Sequence, residues 1–325
     1  MKICYFTCSH GFGGMEKIII DTLNEISDNN EYSIILPKNC EYKNKLSKKI
    51  NIIEFKSMNK RYNIFLYFEI YNYLKNYKIV HTHGAKASKI AYHLNKLLPF
   101  IHIATKHNIR KGKIFNKIKN VISVSKEVAK TVKHPSKVLY FGIKKVPNIK
   151  PIKGDIFTIV AVGRLDPIKG FDNLIKQVSK LDFDFKLNII GEGYQKAKLE
   201  KLIIDNNLKD KVSLLGFKSN ISEYLANSHL QVISSLSEGL PLTLLEGIMS
   251  SSVIVSTPVG GITEILEKNY LTDIDEFSDK ITDIYLNYDF YSDDFYSKHN
   301  HLKQKFDFNN YSNDLIQYYK RCINE

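Results

Sequence analysis

An alternation of strand, glycine loop and helix runs through this sequence twice, and nothing else in it constrains the fold as tightly. Lys2–Thr7 is a short β-rich run, Gly11–Gly14 follows, and Glu16–Ile26 is apolar at helical spacing. Strands are then expected at Tyr32–Leu36, Ile79–His83, Ile101–Thr105 and Val121–Val124. Helices are expected at Ile64–Tyr73 and from Ser125 onward. The pattern stops in the polar stretch Lys144–Gly154, punctuated by Pro147, Pro151 and Gly154, which reads as a linker. It restarts at Phe157–Val162, a continuous apolar run of the kind buried on both faces. Further strands are read at Phe185–Ile190, Val212–Leu215, Leu230–Ser234 and Val253–Ser256. Helices are read from Phe171, from Gly191-Glu192-Gly193, over Leu242–Met249 and over Tyr311–Cys322. Such alternation predicts two α/β halves with parallel sheets, a ligand lying between them at the carboxyl ends of the strands.

Composition narrows the class. With 325 residues, 43% hydrophobic and 25% charged, the chain is globular and long enough for two domains. No apolar run approaches a membrane span, and the N-terminus reads as a first strand rather than a signal peptide. Cys4, Cys8, Cys40 and Cys322 form no CxxC pair, so a reducing cytoplasm is expected. Residues 1–150 carry 28 Lys and Arg against 9 Asp and Glu, whereas residues 151–325 carry 19 against 25. A proteome-wide lysine bias is the alternative reading, although it should make both halves basic. The basic half therefore points to a polyanionic partner: nucleic acid, an anionic leaflet or a phosphate-bearing glycan.

The glycine loops exclude the commonest nucleotide folds. Gly11 and Gly13 begin a GxGxxG pattern but its third position is Glu16; Gly191 and Gly193 begin another, with Lys196 third. There is no GxxxxGK[ST] loop. Gly13-Gly14 at a helix start suits an anion, or else a turn needing positive φ. Arg164 directly follows a buried strand and Lys169 lies five residues on, a fork donor and a point-charge donor suited to a diphosphate. The most specific segment runs from Ser237 to Gly247. There Glu238 falls in a loop, Leu242 and Thr243 offer helix-start amides for a phosphate, and Glu246, read as about two turns into the helix, suits a ribose diol.

With these strings in place the sequence resembles GT-B glycosyltransferases, specifically the retaining nucleotide-sugar enzymes of glycosyltransferase family 4. The matching strings are Gly13-Gly14-Met15-Glu16, Val80-His81-Thr82-His83, Ala104-Thr105-Lys106-His107, Val124-Ser125, Val162-Gly163-Arg164-Leu165 with Lys169-Gly170, and Gly191-Glu192-Gly193. Leu214-Leu215-Gly216-Phe217, Ser237 to Glu246 and Ser256-Thr257-Pro258-Val259-Gly260-Gly261 complete the set. The resemblance implies two Rossmann-like domains facing an interdomain cleft. Residues 1–146 would form a basic acceptor-binding domain and 147–310 a nucleotide-sugar-binding domain, with a helix at 311–325 packing back on the first. It implies that Arg164 and Lys169 bind the donor diphosphate, Glu246 the ribose, and that Glu238 and His107 lie by the transferred sugar. Gly13, Gly14, Gly163, Gly191, Phe217, Gly239, Leu240, Leu242 and Thr243 would complete the donor site, with Glu16 and His83 on the acceptor side. No cofactor and no catalytic metal are implied.

The expected function is transfer of a sugar from a UDP- or GDP-sugar to a glycan or lipid-linked acceptor in bacterial surface polysaccharide or lipopolysaccharide assembly. The expected place is the cytoplasm, peripheral at the inner leaflet through the basic half. A catalytically silent nucleotide-sugar-binding subunit and a basic nucleic-acid-binding protein are the rivals, and no recognised nucleic-acid motif supports the second. Two departures from the family pattern stand out: Tyr140-Phe141-Gly142-Ile143-Lys144 near the linker, and a shortened loop at Leu266–Leu271. Asp273-Ile274-Asp275 is read as a DxD string far from any strand end. His81/His83 are read as packed or cleft-lining rather than metal-binding, and the aromatic cluster Tyr62–Tyr77 as helix core rather than a lipid-facing surface.

Overall fold

Residues 1–60, 62–144, 154–250 and 253–325 are described by the computed structural model. The expected linker therefore lies, for residues 145–153, outside the described residues. The chain divides into two compact units, Met1–Phe141 with Asn309–Glu325, and Gly142–Phe308.

The first unit is built on β1 (Lys2–Thr7), β2 (Glu31–Pro37), β3 (Asn51–Phe55), β4 (Ile79–His83), β5 (Ile101–Lys106), β6 (Asn120–Ser123) and the two-residue β7 (Lys137–Val138). Their order is β3-β2-β1-β4-β5-β6-β7 and every pairing is parallel. Parallel strands need crossovers, and α1 (Gly14–Glu25), α2 (Ile64–Leu74), α3 (Ala85–Leu94) and the short α4 (Lys126–Ala129) lie between strands in sequence. Helices on both faces demand apolar strands. β1 is accordingly buried from Ile3 to Thr7, and β4 along its whole length. Leu66, Ile70 and Leu74 of α2 pack with Ala87, Ile90 and Ala91 of α3 against Cys4, Phe6 and Val80. Each large apolar side chain so buried contributes about 1.5–3 kcal/mol.

The second unit repeats the scheme with β8 (Phe157–Val162), β9 (Phe185–Ile190), β10 (Val212–Leu214), β11 (Leu230–Ile233) and β12 (Val253–Ser256). The order is β10-β9-β8-β11-β12, again all parallel. In α5 (Phe171–Val178), Phe171, Leu174, Ile175 and Val178 are buried, the i, i+3, i+4, i+7 stripe of a helix on a sheet. Helices α6 (Lys196–Asp205), α7 (Ile221–Ala226) and α8 (Leu242–Ser250) complete the crossovers. Beyond β12 come α9 (Phe277–Leu286), α10 (Tyr288–His299) and α11 (Leu302–Lys305). The last helix, α12 (Phe308–Asn324), carries the chain back into the first unit, where the Tyr319 hydroxyl meets His81 Nδ1 at 2.6 Å and the Tyr5 hydroxyl at 2.8 Å.

Several elements went unread in the sequence. Strand β3, helix α3 and helices α7 and α9–α11 are absent from the expected pattern, and α6 starts at Lys196, three residues past Gly193. The DxD reading also changes. Leu271 forms a parallel bridge with Ser256 at the end of β12, and Ile274 packs beside Gly170, so Asp273–Asp275 sits near strand ends rather than far from them. The aromatic cluster is only half core, because Tyr62, Ile64, Phe65 and Phe68 are exposed.

Four histidines are enclosed in the first unit. Burial pushes His81, His102 and His107 down to about 3, and His83 well below its ordinary value. Depressed imidazoles stay neutral in the fold but charge in the unfolded chain, which therefore binds more protons below pH ~6.5. Stability should be flat above pH ~6.5 and should fall as pH drops from there toward 3, each such histidine contributing up to about 1.4 kcal/mol per pH unit. Urea midpoints measured between pH 8 and pH 5 check this; an unchanged midpoint would mean the imidazoles protonate in place.

Candidate active site

In a doubly wound sheet the loops at the carboxyl ends diverge where strand order reverses, leaving a crevice for a ligand. In the second unit that point lies between β8 and β11, neighbours at the centre of the sheet. The loop after β8 carries Gly163, Arg164 and Lys169; the loop after β11 carries Glu238 and Gly239. These loops meet through side chains. The Lys169 ammonium lies 2.6 Å from Glu238 Oε1, with the two side chains only 16% and 13% exposed. The Lys169 stem covers Gly163, where a Cβ would come within 3.2 Å of its Cδ and Cε. Backbone reinforces the contact: the Ser234 hydroxyl donates to the Lys169 carbonyl at 2.8 Å, and Leu236 N–H donates to the Ile168 carbonyl at 2.8 Å.

Arg164 lies differently from Lys169. Its side chain is 67% exposed, and Nη2 pairs with Asp166 Oδ2 at 2.8 Å. Asp166 also caps the single 3-10 turn Pro167–Lys169 by accepting from Ile168 N–H. Asp166, overlooked in the sequence, thus aims the guanidinium and starts the turn that ends on Lys169. The signal was present as Asp-Pro, a cap followed by proline at the first helical position.

Glycine is required where these loops crowd. Gly170 has φ +65°, and a Cβ there would sit 2.1 Å from the Ser234 carbonyl oxygen. Gly191, at φ +143°, allows its loop to reach the β8 loop; a Cβ would lie 1.9 Å from the Gly163 carbonyl oxygen. Gly260 presses on the Glu238 backbone in the same way, while Gly261 N–H donates to the Gly239 carbonyl at 2.7 Å.

Helix α8 opens directly after this loop. Leu240 is buried, and Leu242 and Thr243 are in the first turn, where N–H groups lack intrahelical partners. Thr243 Oγ1 is buried without a hydrogen-bond partner. Glu246 is the fifth residue of α8, little more than one turn from its start rather than two. It is half-buried, and Phe217 is half-exposed after Gly216, whose carbonyl accepts from Gly191 N–H at 2.9 Å.

The remaining candidates belong to the first unit, around its own reversal between β1 and β4. Gly13 caps α1 with φ −158°, an extended conformation open to any residue, and neither Gly13 nor Gly14 has a positive φ. The turn explanation for Gly13-Gly14 therefore fails. Glu16 is buried in the first turn of α1. At the tip of β4, His83 Nδ1 lies 2.9 Å from His107 Nε2. Both rings are held neutral, so they share one proton. His83 Nε2 is buried without a partner, and buried orphan N–H groups are rarer than orphan acceptors. The network thus assigns the proton to His83 Nδ1, which donates to His107 Nε2 and leaves the His107 proton on Nδ1. Phe141 stacks on the His107 ring at 5.6 Å. Lys106 is buried and donates to the Asn108 and Arg110 carbonyls and to Thr131 Oγ1, clamping the loop that carries His107. Phe141 belongs to the string that departs from the family pattern, so its support of His107 was not legible beforehand. Among the described residues no three His, Cys, Asp or Glu are grouped to hold a metal ion.

Two substitutions separate close approach from mere flexibility. Gly191→Ala should cost about 2–4 kcal/mol in urea denaturation, because backbone and not side chain must yield. Gly13→Ala, facing only the movable Glu16 carboxylate at 3.2 Å, should cost below about 1 kcal/mol. Equal costs would defeat the argument. Nitrogen NMR should find neutral His107 protonated at Nδ1; a dominant Nε2–H form would reverse the assignment.

Residues 143–305 match the family model described as glycosyl transferases group 1. An uncharacterized glycosyltransferase of Methanocaldococcus jannaschii, MJ1178, is 32% identical over 212 residues, 59% of each chain. A 4-alpha-N-acetylgalactosaminyltransferase of Campylobacter jejuni, named for an N-acetylgalactosamine-N,N'-diacetylbacillosaminyl-diphospho-undecaprenol acceptor, is 40% identical over 99 residues, 30% of this chain and 27% of its own. These matches each span less than two thirds of the relative's length. Among solved structures, Anabaena Alr3699/HepE in complex with UDP-glucose superposes with a TM-score of 0.88 at 18% identity, covering 99% of this chain and all of that one. TarM of S. aureus gives 0.77 at 16% identity, with coverage of 100% and 99%. These likenesses carry the expected GT-B fold, and with half of its residues matched by the family model the chain belongs to the glycosyl transferases group 1.

Proposed function

We propose that this protein is a retaining glycosyltransferase that moves a sugar from a UDP- or GDP-sugar to a glycan or lipid-linked acceptor. The observation that carries the reading is the Lys169–Glu238 pair, which holds a cation and a carboxylate between the two strand-end loops at the sheet's reversal point. Arg164 adds a second cation from the same loop. A leaving diphosphate gains negative charge as its bond to the sugar breaks, and pre-oriented cations offset that charge without reorganising. The helix-start amides of Leu242 and Thr243 add donors, and Glu246 takes the ribose hydroxyls. Glu238 then has two roles: it positions Lys169 and faces the donor sugar.

The retaining outcome follows from the family resemblance. No protein nucleophile is assigned; the leaving phosphate accepts the acceptor's proton on the same face of the sugar as the new bond forms. His107, with its proton on Nδ1, serves as a hydrogen-bond donor to a sugar hydroxyl, and its lowered basicity keeps it from competing as a cation. Glu16 and His83 are assigned to the acceptor side, and no metal is assigned a role. The Anabaena neighbour's UDP-glucose complex supports a nucleotide-sugar donor. The Campylobacter relative's diphospho-undecaprenol acceptor supports a lipid-linked one. The excess of cations in residues 1–150 suits an acceptor held at an anionic cytoplasmic leaflet in surface polysaccharide or lipopolysaccharide assembly. No helix among the described residues is long and apolar enough to cross a membrane.

Thermal-shift screening against UDP-, GDP-, ADP- and CMP-sugars should give selective stabilisation, about 2.7 kcal/mol at a hundredfold excess over Kd. With the donor so identified, Lys169→Ala and Arg164→Ala should each lower turnover or donor hydrolysis about 100-fold or more. Normal turnover in either variant would contradict the site assignment. Selective binding with no turnover or hydrolysis would favour a silent nucleotide-sugar-binding subunit.

A further inference from the structure

The outward side of α2 is apolar where solvent would favour polar groups. Met58 and Tyr62, just before the helix, and Ile64, Phe65 and Phe68 on it are 62–80% exposed, although Leu66, Ile70 and Leu74 of α2 are fully buried. Ile64, Phe65 and Phe68 fall at i, i+1 and i+4, one face of the helix, so core packing cannot account for them. Ser57, Met58, Lys60, Tyr62, Asn63 and Phe65 line a shallow apolar hollow beside that face. Five large apolar side chains exposed in one stretch mark an interaction surface rather than the usual scatter.

Charge identifies the partner. Lys56 and Lys60 are exposed at the margin of the patch. The Lys89 ammonium lies 4.6 Å over the Tyr62 ring, and Lys86 donates to the Asn59 carbonyl and side chain. Glu54 and Glu69 are the sole carboxylates between residues 42 and 126, and both are spent. Glu54 pairs with Lys43 at 2.6 Å, and Glu69 accepts from the Lys56 and Ser57 N–H groups at 2.9 Å. An apolar ridge edged by unopposed lysines matches an anionic lipid surface, with rings in the acyl boundary and ammonium groups among the phosphates. A symmetric second copy fits poorly, because an isologous contact would set the same lysines against each other.

Position connects the ridge to the chemistry. The loop before α2 leaves the carboxyl end of β3, and Asn59 Nδ2 donates to the Cys8 carbonyl at 2.9 Å. Cys8 begins the loop that runs through Gly13-Gly14 into α1. The ridge therefore stands at the same end of the sheet as Glu16 and His83.

We propose that Met58, Tyr62, Ile64, Phe65 and Phe68, ringed by Lys56, Lys60, Lys86 and Lys89, insert into the headgroup region of an anionic bilayer. The docked bilayer presents a lipid-linked acceptor to the strand tips of the first unit. The acceptor half of this inference rests on the function proposed above; the docking half does not.

The experiment is co-sedimentation of the full chain with phosphatidylcholine vesicles, with and without phosphatidylglycerol, in about 0.1 M and about 0.5 M salt. Wild-type protein should bind the anionic vesicles and keep part of that binding at high salt, where purely electrostatic attachment is lost. Phe65→Ser/Phe68→Ser should weaken binding at least tenfold at both salts. Lys56→Glu/Lys60→Glu should weaken it at low salt mainly. Both pairs are exposed, so circular dichroism and nucleotide-sugar thermal shifts should match wild type. Wild-type affinity in the phenylalanine variant overturns the docking face. So does a lipid-free dimer that the phenylalanine variant abolishes, which would assign the ridge to a second copy. Intact vesicle binding without any nucleotide-sugar shift overturns the donor reading alone.

Discussion

One buried-side contact, the Lys169 ammonium against the Glu238 carboxylate at 2.6 Å, ties the two loops that flank the reversal of the second sheet. Most of the neighbouring geometry serves to make that contact possible. The β8 loop must turn sharply to bring Lys169 back over Gly163, and the β11 loop must come close enough for Ser234 to reach the Lys169 carbonyl. Glycines at 170, 191 and 260 permit approaches in which a Cβ would fall about 2 Å from a carbonyl oxygen. A partly buried ion pair adds little net stability but is costly to break on one side only. Its value here is orientation: each charge fixes where the other points.

The first unit solves a different problem. Its strand tips carry imidazoles beside the buried Lys106, and enclosure keeps the imidazoles neutral. His81 is bound on both ring nitrogens, by the hydroxyls of Tyr319 and Thr105. His83 spends one nitrogen on His107 and buries the other. The C-terminal helix is therefore part of the site's foundation, because its Tyr319 closes the network beneath the ring that orients His107. Phe141 stacks on the same imidazole, and Lys106 clamps the loop that carries it.

Much of this was legible in the residues. The continuous apolar run Phe157–Val162 reads as a strand buried on both faces and Ile79–His83 as a buried strand, and both are strands with those bounds. Arg164 and Lys169 were recognisable because they follow a buried strand directly, and Glu238 because it falls in the Gly- and Pro-containing segment before a helix start. The unread elements lacked such contrast. Strand β3 is five residues, Ile52, Ile53 and Phe55 interrupted by Glu54, too short and mixed to show a period. In α10, tyrosines and phenylalanines face both core and solvent, so no single apolar stripe announces a helix.

Sequence alone determined the alternation, the number of units, the charge asymmetry and the loops that bear the reactive groups, because these depend on local propensity and on which residues tolerate burial. Tertiary structure decided what each group meets. Phe141 on His107 and Tyr319 on His81 join residues whose spacing in the chain carries no signal, and only folding brings the last pair together across 238 positions. The same holds for α2: its composition is apolar all round, and a sequence cannot tell which side the core will claim. Packing of Leu66, Ile70 and Leu74 against the sheet used one face and left Ile64, Phe65 and Phe68 to the outside.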